Sequence, residues 1–148
     1  MHAKRPERIP SIKAVMTPFP WDCHLDDRVG HAKNVMRERN IRHLPVIDGG
    51  DLVGIVTDRD IGLVENATRE PAEREALRVR DVCVLDAYVV ELSEPLDRVL
   101  YEMAERHIDS ALVVKRGRLA GIFTSSDVCH HFGQFLRMIF DRGGDEVA

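Results

Sequence analysis

Two short patterns in this sequence carry the residue types that ligand chemistry needs. They read Gly54-Ile-Val-Thr57-Asp-Arg-Asp60 and Gly121-Ile-Phe-Thr124-Ser-Ser-Asp127. Each places a carboxylate, able to accept several charge-assisted hydrogen bonds, three residues after a threonine hydroxyl. Each threonine also precedes a stretch that reads as a helix start, whose free amides can be capped by the hydroxyl or can face an anion. Thr and Asp are ordinary capping residues, but identical spacing twice over is more than capping requires. Gly54 and Gly121 permit close backbone packing, which fits either use.

A second contrast lies just before the apolar run that follows each first helix. One unit has Arg42-His43 there and the other has Asp109-Ser110. Arginine offers a planar fork of donors suited to phosphate, whereas an aspartate repels it. Other chemistries find less support. Cys129-His130-His131 and Cys23-His24 are adjacent residues, which on a helix point about 100° apart and do not converge on one ion. No metal site is expected. No cysteine or serine sits in an activating motif, and a Gly-rich phosphate loop is missing. The chain reads as a binder of ligands and not as an enzyme.

The elements that must position these residues come as an internal repeat. Val46 to Asp60 reappears as Val113 to Asp127, and Val15/Val82, Leu25/Leu92, Met36/Met103 and Ile41/Ile108 match at the same constant spacing. Two such units pack together because each alone leaves an apolar face exposed. Asp26 or Asp27, and then Ser93, stand where helix N-caps belong. Val29, Ala32 and Met36 follow in the first unit, and Leu96, Val99, Leu100, Met103 and Ala104 in the second, with the spacing of an amphipathic helix. Two short β-branched runs come next in each unit, Leu44 to Ile47 with Leu52 to Val56, and Ala111 to Val114 with Leu119 to Phe123. Glycine-containing turns join them as hairpins. Second helices are expected from Asp58 and from Ser125. The repeats are placed at 9–66 and 79–132, with a charged connector at 67–78 whose Pro71 breaks any helix running on from Asp60. A C-terminal helix and tail occupy 133–148. Val128, Phe132, Phe135, Leu136 and Ile139 give that last helix an apolar face, to be buried in the core or against another subunit.

Composition narrows the partners. With 148 residues and 44% hydrophobic content the chain can bury a core of its own. A net charge of −4 supplies no overall pull toward nucleic acid or anionic membrane, despite Lys4, Arg5 and Arg8. No apolar run approaches the roughly 20 residues that cross a bilayer, and Met1 to Arg8 lacks a hydrophobic region behind its charges. The three cysteines are widely spaced and without CxxC grouping, which fits a reducing, cytoplasmic setting.

The ordered set Val15-Met16-Thr17-Pro18, Arg42-His43-Leu44-Pro45-Val46 and Gly54 to Ile61, together with the repeat, resembles a tandem pair of cystathionine-β-synthase (CBS) domains, or Bateman module, over about Ile9 to Phe132. That resemblance implies an α/β (α+β) fold of two β-α-β-β-α repeats related by a pseudo-twofold axis. It implies a stand-alone regulatory module that binds an adenosine ligand such as AMP, ADP or ATP, with S-adenosylmethionine or NADH as further members of the class. It also implies a homodimer and an as yet unidentified protein partner, with no cofactor required for chemistry. By the same resemblance Asp60 and Asp127, with Thr57 and Thr124, hold ribose. Arg42 and His43 are assigned to phosphate at Asp60, so that site should prefer phosphorylated nucleotides and the Asp127 site a less charged ligand or none. The adenine slot is assigned to Val79, Val82, Cys83 and Ile108 near Asp60. Ser11, Val15, Met16 and Ile41 take that place near Asp127, with Ile55 and Ile122 on the strands. The second unit has Cys83-Val84-Leu85 where the first has Met16-Thr17-Pro18, which leaves the shape of one slot open. The alternative is a structural or protein-interaction module with degenerate clefts, in which both aspartates only cap helices.

Overall fold

The computed structural model describes residues 8–140. The expected tail beyond Phe140, with Lys4 and Arg5, lies outside them. In chain order the elements are β1 (Thr17–Pro18), β2 (Cys23–His24), α1 (Val29–Arg39), β3 (His43–Asp48), β4 (Asp51–Thr57) and α2 (Asp58–Ala67). They continue with α3 (Pro71–Ala76), α4 (Val79–Val82), β5 (Val89–Glu91), α5 (Leu96–Glu105), β6 (Ser110–Lys115), β7 (Arg118–Thr124) and α6 (Ser125–Ile139). The repeat is thus a structural one, and α2 and α6 start at the residues expected.

Local chemistry explains most boundaries. Both hairpins close through two residues of positive φ, Gly49 and Gly50 in the first repeat and Arg116 and Gly117 in the second. Such turns match the twist of the strands they join. Asn40 and His107 end α1 and α5 at the same repeat position with the same φ of 52°. The expected helix caps are corrected. Arg28 and Pro95 precede α1 and α5 without a side-chain cap; before α1, the Asp27 carboxylate accepts instead from the His24 N–H at 2.8 Å. Pro71 starts a short helix in the connector, at a first helical position where its missing N–H costs nothing. No residue of α6 is fully buried: Val128 packs against the second core, whereas Phe132, Phe135, Leu136 and Ile139 stand exposed.

The repeats trade their lead-in segments. One sheet runs β2-β3-β4, but the other runs β1-β7-β6-β5, so a strand of the first repeat completes the sheet of the second. The reciprocal contact is a bridge in which Ile55 and Val84 exchange both backbone hydrogen bonds, at 3.0 and 2.8 Å. Gly54 and Gly121 make room for this. A Cβ on Gly54 would strike the Val84 carbonyl, and one on Gly121 would strike Met16. The cores follow the exchange: Val79 and Val82 pack with Leu44, Val56 and Ile61 of the first repeat, and Ile12 with Val99, Val113 and Phe123 of the second. Ile55, Leu112 and Ile122 join the two sheets between them.

Candidate ligand cleft between the repeats

The strand-to-helix junctions hold both threonine and aspartate pairs. In the first repeat Thr57 Oγ1 accepts from the Asp60 N–H at 3.1 Å and donates to Asp60 Oδ2 at 2.7 Å. In the second, Asp127 Oδ2 accepts from the Thr124 N–H at 2.8 Å and from its hydroxyl at 3.2 Å. One carboxylate oxygen therefore locks each helix start, and Oδ1 of Asp127 takes no hydrogen bond among the described residues. Capping and ligand binding use different lone pairs, so one does not exclude the other.

A cleft of about 670 Å³ opens beside Asp127. The second repeat lines it with Ile122, Thr124, Ser126 and Asp127, and the first with the segment from Thr17 to Trp21 and with Asn40, Ile41, Arg42 and His43. This departs from the expected pairing of Arg42 and His43 with Asp60. Their backbone does lie beside α2, since the Asp58 N–H bonds to Arg42 O at 3.1 Å and His43 pairs with Thr57. Across the pseudo-twofold axis, however, the starts of β3 and β6 meet, with His43 Nε2 3.2 Å from Asp109 Oδ1. That approach is too poorly aligned to be a hydrogen bond, and it leaves the buried Nε2 unpaired. Side chains at this edge of one repeat thus share a cleft with the other repeat's aspartate. Arg42, His43 and Asp127 therefore line one cleft.

The apolar slot residues separate in the same way. Ile41 and Ile122 line the cleft. Val79 and Val82 are buried in the core of the first repeat, with Cys83 packed against it. Val15, Met16 and Ile108 pack on the second core, and Ser11 bridges to Pro95. Ile55 is buried between the sheets. Val15 also borders a separate apolar groove of about 250 Å³ with Leu96, Leu100, Phe132 and Phe135. Burial and nearby acidic groups push the Cys23 thiol up to about 12, which keeps it a neutral core group. Among the described residues no group of three or more His, Cys, Asp or Glu could hold a metal ion, and no helix is long and apolar enough to cross a membrane.

The sequence reading missed Phe19, Trp21 and Ser126. A signal existed for the first two: Pro18-Phe19-Pro20-Trp21 gathers two of the chain's few aromatic residues into one stretch without helical or strand periodicity.

The family model described as "CBS domain" matches residues 12–61 and 79–133. The chain belongs to the CBS-domain family. Its two CBS repeats form a CBS pair of mixed α and β structure. The chain is 34% identical over 119 residues to the uncharacterized protein YlbB of Bacillus subtilis, a match covering 79% of this chain and 78% of that one. It superposes with a TM-score of 0.74 on the CBS domain pair of protein MJ0100 in complex with 5′-methylthioadenosine and S-adenosyl-L-methionine. That match has 27% identity and covers 86% of this chain and 98% of that one. CBSX2 in complex with AMP also superposes with a TM-score of 0.74, at 26% identity, over 86% of this chain and 98% of that one.

Proposed function

We propose that this CBS pair senses a phosphorylated adenosine ligand, of the AMP, ADP or ATP type, in the cleft beside Asp127. The observation that carries this reading is the convergence of Arg42 and His43 of one repeat with Thr124, Ser126 and Asp127 of the other. A carboxylate with a free oxygen suits a ribose diol, and a guanidinium beside an imidazole suits phosphate. CBS pairs of similar fold bind AMP in one case and S-adenosylmethionine in another, which supports the ligand class. Thr57 and Asp60 form a second ribose acceptor in this proposal, without cations converging on them in the same cleft.

A ligand in the Asp127 cleft touches both repeats. It therefore stabilises the relative pose that brings them together, and it alters the affinity for any partner that distinguishes poses. The module acts by binding, without chemistry, in the cytoplasm, and passes its signal to a protein partner.

A second copy of the chain is a further partner in this proposal. Phe132 and Phe135 stack with centroids 6.3 Å apart on α6, and with Leu136, Met138 and Ile139 they stand exposed. An apolar stripe of this kind marks an interaction surface. The same stripe favours the other reading, a protein-interaction module whose clefts bind nothing.

Thermal-shift titration with AMP, ADP, ATP, NADH, S-adenosylmethionine and adenosine separates the two readings. A ligand at a hundred times its dissociation constant adds about 2.7 kcal/mol to stability. A saturable shift with a phosphorylated ligand supports the sensor. No shift with any of the six, from protein shown to be free of nucleotide, leaves the interaction module.

A further inference from the structure

We infer that Phe19 is the stacking wall for the ligand's flat base, an inference that rests on the nucleotide reading of the Asp127 cleft. The lining of that cleft sorts by chemistry into three parts. Arg42 carries a guanidinium and His43 an imidazole, Thr124, Ser126 and Asp127 carry hydroxyl and carboxylate oxygens, and Pro18, Phe19, Trp21 and Ile122 are broad and apolar. Phosphate, ribose and base are the three parts of a nucleotide, and the third set is the one left for the base.

Phe19 is held in place at a cost that folding does not explain. Its side chain is 92% exposed, so it contributes almost nothing to a core. Its φ is 47°, in the left-handed region that a bulky residue seldom adopts. It also precedes Pro20, which disfavours compact backbone at the residue before it. The segment is nevertheless anchored, because the Phe19 N–H bonds to Ala120 O at 3.1 Å and Pro18 pairs with Gly121 in the sheet. Strain held by its surroundings at a cleft mouth is a signature of a binding position. The aromatic ring pairs among the described residues are His130 with His131 and Phe132 with Phe135, so the Phe19 ring has no stacking partner within the fold.

Trp21 stands beside it, 52% exposed, with the Arg39 guanidinium 3.9 Å from the centre of its ring. That cation holds the indole in a defined pose. Trp21 is the chain's single tryptophan, so its fluorescence reports the cleft alone.

The test titrates wild-type protein, Phe19→Ala, Phe19→Tyr and Asp127→Ala with AMP and with ribose 5-phosphate, by calorimetry and by Trp21 fluorescence. Stacking of a base on an aromatic side chain predicts that Phe19→Ala loses AMP affinity by roughly five- to a hundredfold. Phe19→Tyr keeps it, and neither substitution changes ribose 5-phosphate binding. Loss of AMP affinity in Asp127→Ala but not in Phe19→Ala overturns the stacking role and leaves the nucleotide reading standing. Equal losses of AMP and ribose 5-phosphate in Phe19→Ala also overturn it, since the side chain then acts on the cleft and not on the base. Wild-type protein that does not bind AMP overturns both.

Discussion

His43 of the first repeat and Asp109 of the second meet across the pseudo-twofold axis, with Nε2 and Oδ1 3.2 Å apart. The contact sets a carboxylate beside the same imidazole that faces the cleft. The charge of that carboxylate opposes a phosphate in the cleft. Asp109→Asn therefore strengthens AMP binding, by up to about fivefold given how exposed the aspartate is, and leaves adenosine unchanged. Calorimetry with the two ligands checks the difference.

Asp127 and Arg42 act on different parts of the ligand. Asp127→Ala weakens AMP and adenosine alike, by roughly ten- to a hundredfold, because a charged acceptor of the ribose is lost. Arg42→Ala weakens AMP and ATP more than adenosine. Asp60→Ala, outside this cleft, leaves binding in it near the wild-type value. Equal losses in the Arg42→Ala titrations would remove the phosphate assignment.

Gly54 and Gly121 occupy equivalent repeat positions but differ in what opposes them. A Cβ at Gly54 meets the backbone carbonyl of Val84, whereas at Gly121 the nearest atoms belong to the flexible side chain of Met16. Gly54→Ala is thus the costlier change, in the range of about 1–3 kcal/mol or above for overpacking, and Gly121→Ala the cheaper. Urea unfolding of both variants gives the ranking.

The stripe on α6 predicts the oligomeric state. Phe135→Glu, at a position 49% exposed, leaves the fold of the monomer intact and abolishes a dimer built on that face. Light scattering after size exclusion reads the change. A monomeric wild-type protein would dispose of the dimer.

Cys23 sets a pH dependence. Its thiol is raised from 9.0 to about 12, first by burial and then by Asp27 and Asp22. Between those values the unfolded chain has lost this proton while the folded chain keeps it. Its contribution to stability is therefore full below pH 9 and falls as pH rises, by up to about 1.4 kcal/mol per pH unit. Cys23→Ala removes that component, so the difference in stability between wild type and variant narrows from pH 8 to pH 10.5 in urea unfolding. A constant difference would contradict the shift.

Much of the fold was legible because its signals are local. The matched positions from Val15/Val82 to Asp60/Asp127 required two like units, apolar spacing gave α1 and α5, and glycines marked both hairpin turns. Thr57 and Thr124 announced the helices that begin at Asp58 and Ser125. Local signals also misled: Asp27 stands where a cap belongs, yet its carboxylate closes the turn at His24.

The relations between the repeats come from tertiary contacts. Periodicity describes the face a segment presents, and not which partner covers it. Val79 and Val82 were expected in the adenine slot, and α4 carries them into the core of the first repeat; Arg42 was expected beside Asp60, and it lines the cleft that holds Asp127. Two copies of one unit, with a carboxylate and a hydroxyl at each second helix, are written in the sequence. The exchange of lead-in segments, and the cleft that gathers Arg42 and His43 of one copy with Asp127 of the other, depend on contacts between residues far apart in the chain, and these leave no period in the sequence to read.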